Sequence, residues 1–256
     1  MTGADYDDPT ELARRVAALP RPLVVGLDID GVLAPLVPHA DDARLSEGVA
    51  ELLDRLDGVD GIDVAVVSGR SLAGLAHFGF SPELTVVGGH GGEVRGDPQP
   101  TLDTSEQARY DQLRHHAELA AAAAGEGAWV ECKPLSVVLH VRQADDDSGR
   151  AALERLRSEV AGVDGVKATP GSAVLELFAR PASKGQAIGR LRERHRAASL
   201  VYVGDDRTDE EAFAALKPGD LAIKVGQGVT IATHRLAGTD AVGDWLRATI
   251  DALEPT

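Results

Sequence analysis

Short apolar runs alternate with helix-like segments in the first and last thirds of the chain. Apolar runs with few polar residues are typical of strands that are buried on both faces of a parallel sheet. The segments between them place apolar residues at helical spacing. This alternation predicts an α/β fold with a parallel sheet covered by helices on both faces. The predicted strands are 22–29, 62–67, 84–88, 199–204 and 220–225, and the predicted helices are 46–57, 71–77, 184–197, 208–216 and 240–253.

The middle of the chain follows a different pattern. Helix-like and strand-like segments occur there in the order αββαββ, which predicts a small antiparallel sheet with helices on one face. Gly and Pro cluster at both junctions with the α/β segments and mark the boundaries. We therefore expect a discontinuous core of residues 1–94 and 180–256 and an inserted α+β domain of residues 95–179. The predicted elements of the insert are 103–124, 129–132, 135–142, 147–161, 165–169 and 172–178.

Composition narrows the functional classes. The 256 residues carry a formal net charge of -15, which argues against a nucleic-acid surface. The single cysteine, Cys132, excludes an intrachain disulfide and fits a reducing compartment. No apolar run approaches membrane-spanning length, and the N-terminus lacks the pattern of a signal peptide. These features predict a cytoplasmic protein that binds neither nucleic acid nor membrane. We also expect a monomer.

Two carboxylates, Asp28 and Asp30, follow the first predicted strand, and Gly31 comes next. Ligands of open α/β sheets bind at the carboxyl ends of the strands. An aspartate there can ligate a metal, attack phosphorus or carry a proton. The same pattern also occurs in ordinary Asp-rich turns and calcium loops, so this segment alone leaves the alternatives open.

Two further segments place phosphate-binding groups after predicted strands. Ser68, Gly69 and Arg70 offer a hydroxyl, free backbone N–H groups and a guanidinium, although Ser68 also suits a simple helix cap. Ser183 and Gln186 have the spacing of a capping box, which would place Lys184 in the first turn of a helix. A cation there opposes the helix dipole unless it faces a bound anion or a carboxylate.

The last of these segments, 204–211, is rich in acids. Thr208 and Glu211 predict a capping box, and the acids of that helical turn suit the helix dipole. Asp205 and Asp206 precede the helix, and capping does not account for both of them. Adjacent carboxylates repel each other unless a cation lies nearby, and Mg²⁺ suits such oxygen ligands.

Taken in order, these four segments resemble the sequence motifs of the haloacid dehalogenase (HAD)-like phosphatase superfamily. A narrower resemblance, to the trehalose-6-phosphate phosphatase family, extends over almost the whole chain. It rests on GGHGGE at 88–93, ECK at 131–133, VLELFARP at 174–181 and GDDRTDEEAF at 204–213. Val32 departs from the family, which usually has Thr after the DxDG motif.

The resemblance implies a Rossmann-like HAD core with an inserted cap, and magnesium-dependent hydrolysis of trehalose 6-phosphate through an aspartyl-phosphate. It implies that Asp28 is the nucleophile, Asp30 the general acid and base, and Lys184 a catalytic cation. By the same resemblance the phosphate-binding residues are Ser68, Gly69 and Arg70, the magnesium ligands are Asp28, Asp30, Asp205 and Asp206, and the substrate-binding residues are His90, Glu131, Lys133 and Glu176. Asp209 is expected to support its loop rather than bind the metal.

Other functions remain open at this stage. One is a phosphatase for a related sugar or pseudo-disaccharide phosphate, of the validoxylamine or glucosylglycerol type. Another is a catalytically silent homologue that binds a sugar phosphate or a partner enzyme, although the presence of Asp28, Asp30, Lys184 and Asp205 argues against it. Nothing in the sequence marks the second phosphate site that a phosphomutase needs.

Overall fold

The computed structural model describes residues 6–254 and divides the chain into two compact units. The core unit contains the residues up to Asp97 and those from Ser183 onward, and the inserted unit is Pro98–Ala182. At each junction this boundary lies three residues after the one read from the sequence. The polypeptide therefore leaves the core unit and returns to it, as in a domain insertion.

The secondary structure alternates between strands and helices in both units. The strands are β1 (Leu23–Leu27), β2 (Ile62–Val67), β3 (Thr85–Gly88), β4 (Glu93–Val94), β5 (Trp129–Cys132), β6 (Ser136–His140), β7 (Lys167–Gly171), β8 (Val174–Phe178), β9 (Ser199–Gly204), β10 (Leu221–Val225) and β11 (His234–Leu236). The helices are α1 (Pro9–Ala17), α2 (Val49–Asp57), α3 (Leu72–Leu75), α4 (Thr104–Ala124), α5 (Asp146–Val160), α6 (Lys184–Arg194), α7 (Asp209–Ala214) and α8 (Thr239–Leu253). None of the helices within residues 6–254 combines the length and the apolar character needed to cross a bilayer.

The core unit is built on a seven-stranded sheet with the order β11-β10-β9-β1-β2-β3-β4. All neighbouring strands pair in parallel except β3 and β4, which are antiparallel. The central strand β1 is buried along its whole length, as its unbroken apolar run requires. The predicted α/β class and parallel sheet are thus confirmed. Helix α1 and the short strands β4 and β11 were not predicted.

Helices cover both faces of this sheet. Alternate strand residues point to opposite faces, so Val25 of β1 packs with helices α1, α2 and α8, and Val24 packs with α6 and α7. Parallel strands joined by such crossovers end at the same edge of the sheet. The residues that follow β1, β2, β3 and β9 therefore meet along that edge.

The inserted unit has an antiparallel four-stranded sheet with the order β5-β6-β8-β7. Helices α4 and α5 cover one face and bury apolar residues such as Leu113, Leu139 and Leu177. This confirms the predicted αββαββ order and its separate antiparallel sheet. Because strand residues alternate between faces, the polar residues of β5 and β8 lie on the face away from these helices.

Asp7, which precedes helix α1, closes the outer edge of β11. Its backbone N–H donates to the carbonyl of Arg235 at 2.8 Å, and the backbone N–H of Arg235 donates to Asp7 Oδ2 at 2.7 Å. Both outward-facing backbone groups of Arg235 are thereby satisfied without another strand.

Candidate active site

Lys184 lies at the centre of a buried charge cluster at the carboxyl edge of the core sheet. Its Nζ is 2.7 Å from Asp28 Oδ2 and 2.7 Å from Asp209 Oδ1, and its side chain is 2% exposed. Burial opposes the charge of Lys184, but Asp209 and Asp28 outweigh it and raise its pKa above the ordinary value. Ser183 Oγ caps helix α6 by accepting from Gln186 N at 3.1 Å. The lysine at the positive end of this helix is therefore explained by two carboxylates.

Asp28 follows β1 and is itself buried. Burial raises the pKa of its carboxyl well above the ordinary value, Lys184 lowers it, and the charges of Asp209 and Asp205 raise it again. The lysine is thus the counter-charge that favours the ionised form of Asp28. An ionised carboxylate is the form that attacks an electrophile.

Asp209 joins three parts of the cluster. Its Oδ1 accepts hydrogen bonds from Lys184 Nζ at 2.7 Å and from the Tyr202 hydroxyl at 2.8 Å. Its Oδ2 accepts from the backbone N–H groups of Asp205 at 2.9 Å and Asp206 at 3.0 Å. These are the contacts of a side chain that supports the loop after β9.

Asp30 is held by Arg70 from the neighbouring strand end. Arg70 Nε donates to Asp30 Oδ2 and Nη2 donates to Oδ1, both at 2.7 Å, and Nη1 donates to the carbonyl of Ala40 at 2.8 Å. The guanidinium also lies 5.4 Å from the centre of the Phe78 ring. Burial opposes the charge of Arg70, but the hydrogen bonds to Asp30 outweigh it and raise its pKa. The group that the resemblance assigned to phosphate therefore fixes the position of the second aspartate in this structure.

The loops after β2 and β3 form one packed unit that contains Ser68, Gly69 and His90. His90 N donates to Ser68 O at 2.9 Å, and Gly89 N donates to Arg70 O at 2.7 Å. A Cβ at Gly69 would lie 2.5 Å from His90 Cε1, so the imidazole packs directly on this glycine. The buried Ser68 hydroxyl accepts from Arg70 N at 3.2 Å. His90 thus lies beside the predicted phosphate loop.

An acidic group in the core unit fits a divalent cation. The carboxylates of Asp28, Asp205 and Asp209 each offer an oxygen within 4.8 Å of the others. Burial raises the pKa of Asp205 from 3.8 to about 7, and the neighbouring charges of Asp209 and Asp206 add to the shift, so the ionised Asp205 lacks a full counter-charge. Hard oxygen ligands with uncompensated charge are the donor set that Mg²⁺ prefers. The carboxylates of Asp30 and Asp206, both predicted ligands, are not part of this group.

Gly31 makes room for this acidic group. Its φ of +80° lies in the left-handed region, and a Cβ there would be 2.1 Å from Asp205 Oδ2. The turn after β1 can approach Asp205 because position 31 has no side chain.

Asp206 shapes the start of helix α7. Its Oδ1 accepts from Thr208 N at 2.7 Å and from Thr208 Oγ1 at 2.8 Å. Burial opposes the charge of Asp206, but Lys184 and these Thr208 hydrogen bonds lower its pKa. Thr208 makes no capping hydrogen bond with its side-chain oxygen, so the predicted Thr208–Glu211 capping box is wrong. The preceding aspartate takes that role because its carboxylate binds the Thr208 amide and hydroxyl together.

Sequence reasoning missed Lys224, which lies near the end of β10. Its side chain is buried, and its Nζ donates to the carbonyl of Asp205. It also acts to lower the pKa of Asp205. One signal was present in the sequence: the chain has five lysines, and this one interrupts an apolar strand close to the acidic edge.

The inserted unit carries a second group of predicted site residues on the polar face of its sheet. Lys133 Nζ lies 3.2 Å from Glu176 Oε1, which also accepts from the Ser136 hydroxyl at 2.6 Å. Glu131 Oε2 lies 3.0 Å from His140 Nε2, and this hydrogen bond lowers the pKa of Glu131. Glu131 and Glu176 both pair in register with Val138, one from each side. The three substrate-binding residues predicted in the insert therefore lie in one patch.

The predicted site residues thus form two groups, each within one unit. The group in the core unit comprises Asp28, Asp30, Ser68, Gly69, Arg70, His90, Lys184, Asp205 and Asp206. The group in the inserted unit comprises Glu131, Lys133 and Glu176. Acids, a buried lysine and a hydroxyl in the first group suit chemistry on a phosphate, and the second group suits hydrogen bonds to hydroxyls.

Known proteins resemble this chain over most of its length. The model of the trehalose-phosphatase family matches residues 26–240. The trehalose-6-phosphate phosphatase of Escherichia coli (strain K12) is 30% identical over 234 residues, which cover 89% of this chain and 86% of that protein. An uncharacterized glycosyl hydrolase of Mycobacterium tuberculosis (strain H37Rv) is 34% identical over 232 residues, which cover 84% of this chain and 17% of that protein.

A solved structure shows the same fold. The C-terminal domain of the trehalose-6-phosphate phosphatase of C. albicans superposes with a TM-score of 0.80 at 20% identity, and the match covers 96% of this chain and 98% of that one. The family resemblance read from the motifs is confirmed. The chain belongs to the trehalose-phosphatase family.

Proposed function

We propose that this protein is a magnesium-dependent phosphatase that hydrolyses trehalose 6-phosphate to trehalose and inorganic phosphate. The observation that carries the proposal is the buried Lys184 between Asp28 and Asp209, with Asp30 two residues after Asp28 and held by Arg70. This arrangement supplies an activated carboxylate and a proton carrier side by side. Family membership supports the substrate class.

In the first step Asp28 acts as the nucleophile. One of its carboxylate oxygens bonds to phosphorus, and the bond from phosphorus to the ester oxygen of the sugar breaks. Asp30 gives its proton to that oxygen, so that the sugar leaves as a neutral alcohol. Lys184 favours the ionised form of Asp28, and Ser68 with the amides after β2 holds the phosphoryl oxygens.

In the second step water cleaves the aspartyl-phosphate. Asp30, now ionised, takes a proton from the water, whose oxygen bonds to phosphorus as the Asp28 acyl phosphate breaks. Asp28 returns to its carboxylate form and inorganic phosphate leaves. Arg70 orients the Asp30 carboxylate, and its charge favours the ionised form that accepts the proton in this second step.

The acidic group fits the magnesium ion of this proposal. Asp28 and Asp205 would hold it through their carboxylates and Asp30 through its backbone carbonyl, with Asp206 farther away. When bound, Mg²⁺ supplies positive charge that neutralises the phosphoryl oxygens. Lys224 supports this arrangement by binding the Asp205 carbonyl and so fixing the loop.

The inserted unit is proposed to recognise the sugar as a cap. Glu131, Lys133 and Glu176 would bind the sugar hydroxyls, and His90 would line the substrate entrance beside the phosphate loop. The carboxylates of Glu131 and Glu176 are held by His140 and by Lys133 with Ser136, which supports a preorganised set of acceptors.

A panel of sugar phosphates tests this proposal. Phosphate release is measured for trehalose 6-phosphate, glucose 6-phosphate and a phosphorylated pseudo-disaccharide, with Mg²⁺ and with EDTA. We expect trehalose 6-phosphate to be preferred, EDTA to stop the release, and Asp28→Asn to be inactive. Asp251→Asn is the matched control, because Asp251 lies exposed on helix α8. Release that persists in Asp28→Asn overturns the mechanism, and preference for another sugar phosphate overturns the substrate.

The proposal also includes a cytoplasmic location and a monomeric state. The single cysteine supports a reducing compartment. Light scattering after gel filtration tests the monomer, for which the mass of the 256-residue chain is 26.8 kDa.

A further inference from the structure

Trp129 is an exposed tryptophan at the start of the edge strand β5. The chain has two tryptophans; Trp245 is fully buried, whereas Trp129 keeps 50% of its surface exposed. Large aromatic side chains usually bury most of their area, because exposed apolar surface is unfavourable in water. Half of the surface of Trp129 is therefore open to solvent and available to a ligand.

The ring of Trp129 is held in a fixed plane. The ring of His140, its direct partner across strands β5 and β6, stacks on it with the centres 4.0 Å apart and the planes at 2°. His140 Nε2 is in turn bound to Glu131 Oε2 at 3.0 Å. The imidazole covers one face of the indole, so the exposed area belongs mainly to the other face and the ring edge. Trp129 therefore presents a rigid aromatic surface next to the fixed carboxylate of Glu131.

The polar groups nearby indicate which ligand this surface suits. Glu131 and Lys133 follow Trp129 at two-residue intervals and point to the same side of the sheet. With Glu176 this patch contains two carboxylates and one ammonium, which disfavours an anionic ligand such as a phosphate group. A neutral sugar ring has an apolar face of C–H groups and a rim of hydroxyls, and it matches both the indole and the carboxylates.

We propose that Trp129 is a substrate-specificity residue whose indole stacks on the apolar face of the neutral, unphosphorylated hexose ring of the substrate, with Glu131 binding its hydroxyls. This inference rests on the proposed function and deepens it, since it names the side chain that contacts the apolar face of the sugar. His140 is the positioning residue that orients both Trp129 and Glu131.

Kinetics of Trp129→Ala and Trp129→Phe test the role. The kcat/KM for trehalose 6-phosphate is measured relative to that for phenyl phosphate, which has no sugar. We expect the ratio to fall about tenfold in Trp129→Ala, the effect of exposing roughly 60 Å² of apolar ring contact. The loss should appear in KM rather than in kcat, because stacking on a remote ring is the same in the ground and transition states. Trp129→Phe should retain most of the ratio.

Leu119→Ala is the matched control, since Leu119 is 54% exposed on helix α4 of the same unit, and its ratio should stay at the wild-type value. A wild-type ratio in Trp129→Ala overturns the inference. An equally large fall of the ratio in Trp129→Phe also overturns it. A fall that comes from a lower kcat together with a lower melting temperature does the same, because either result indicates a structural role.

Binding measured by fluorescence separates this inference from the proposed activity. Trehalose, added to the wild-type protein, should change the tryptophan emission, and the change should vanish in Trp129→Phe, where only the buried Trp245 remains. Inorganic phosphate should leave the emission unchanged. If no sugar phosphate is hydrolysed but trehalose still changes the emission, the proposed function fails and sugar binding at Trp129 stands. If trehalose 6-phosphate is hydrolysed but trehalose causes no Trp129-dependent change in emission, only the role of Trp129 is overturned.

Discussion

Replacing Lys184 by methionine should damage both the stability and the chemistry of the core unit. Methionine keeps a long side chain and removes the charge. Lys184 Nζ lies 2.7 Å from both Asp28 Oδ2 and Asp209 Oδ1, and the three side chains are 2%, 7% and 0% exposed. Without the cation two buried carboxylates face each other, and Asp28, whose pKa burial already raises, takes up a proton rather than remain charged. A protonated Asp28 does not attack phosphorus.

The geometry gives the size of the effect on stability. At an effective dielectric constant of about 20, one ion pair at 2.7 Å is worth about 6 kcal/mol. Burial of the partners offsets much of this, and removing one partner of a buried pair typically costs about 3–5 kcal/mol. We therefore expect Lys184→Met to lower the free energy of unfolding by about 3–5 kcal/mol, a large share of the roughly 5–15 kcal/mol of a typical domain. Phosphate release should be abolished.

Urea unfolding followed by circular dichroism measures the stability, and phosphate release measures the activity. Lys217→Met is the matched control, because Lys217 is exposed and its removal should change the stability by no more than about 0.5 kcal/mol. Asp28→Asn should be inactive with little loss of stability, since burial disfavours the charge it removes and the Lys184–Asp209 pair remains. If Lys184→Met unfolds at the same urea concentration as Lys217→Met, the reasoning is refuted.

Three further predictions concern the neighbours of this cluster. Arg70→Lys should lower kcat about 10- to 100-fold with little change in KM, because a single ammonium cannot hold both oxygens of Asp30; steady-state kinetics check this. Because the pKa of Asp205 is raised from 3.8 to about 7, the folded metal-free protein holds a proton that the unfolded chain has lost between these pH values. The free energy of unfolding, measured by urea titration, should therefore fall as the pH rises from about 4 to 7. Added Mg²⁺ should restore this stability, and Asp205→Asn should flatten its pH dependence. Gly31→Ala should be more destabilising than Gly79→Ala in thermal unfolding, because both positions have a positive φ but only position 31 lacks space, and equal losses would contradict the steric argument.

The hydrophobic pattern was sufficient to predict the core strands because each is buried on both faces of the sheet. It missed β4 and β11, which are two and three residues long and too short to show any periodicity. Helix α1 was missed although its start carries a recognisable signal, Asp8 as the cap followed by Pro9 in the first helical position. Strands that are buried on both faces can therefore be predicted from the hydrophobic pattern. The short edge strands β4 and β11 cannot, because they form only through pairing with their neighbours.

Candidate site residues could be predicted where they directly follow an apolar strand, as Asp28 follows β1 and Asp205 follows β9. The contacts between strand ends were not predictable, because they join residues far apart in the chain. Arg70 and Asp30 are 40 positions apart, and nothing in their segments indicates that they pair. Lys224 looked like a strand residue until the fold brought it to the carbonyl of Asp205.

The way Asp7 closes strand β11 has a consequence for association between molecules. An uncovered edge strand offers unpaired N–H and C=O groups to another chain and promotes aggregation. Here a single residue ahead of the first helix occupies both outward-facing groups of Arg235, using its own amide and its carboxylate. Its negative charge also repels an approaching strand from another copy of this acidic protein. At this end of the seven-stranded sheet the outward-facing groups of Arg235 are thus closed to another strand by the amide and the carboxylate of one residue, which is remote from the chemistry.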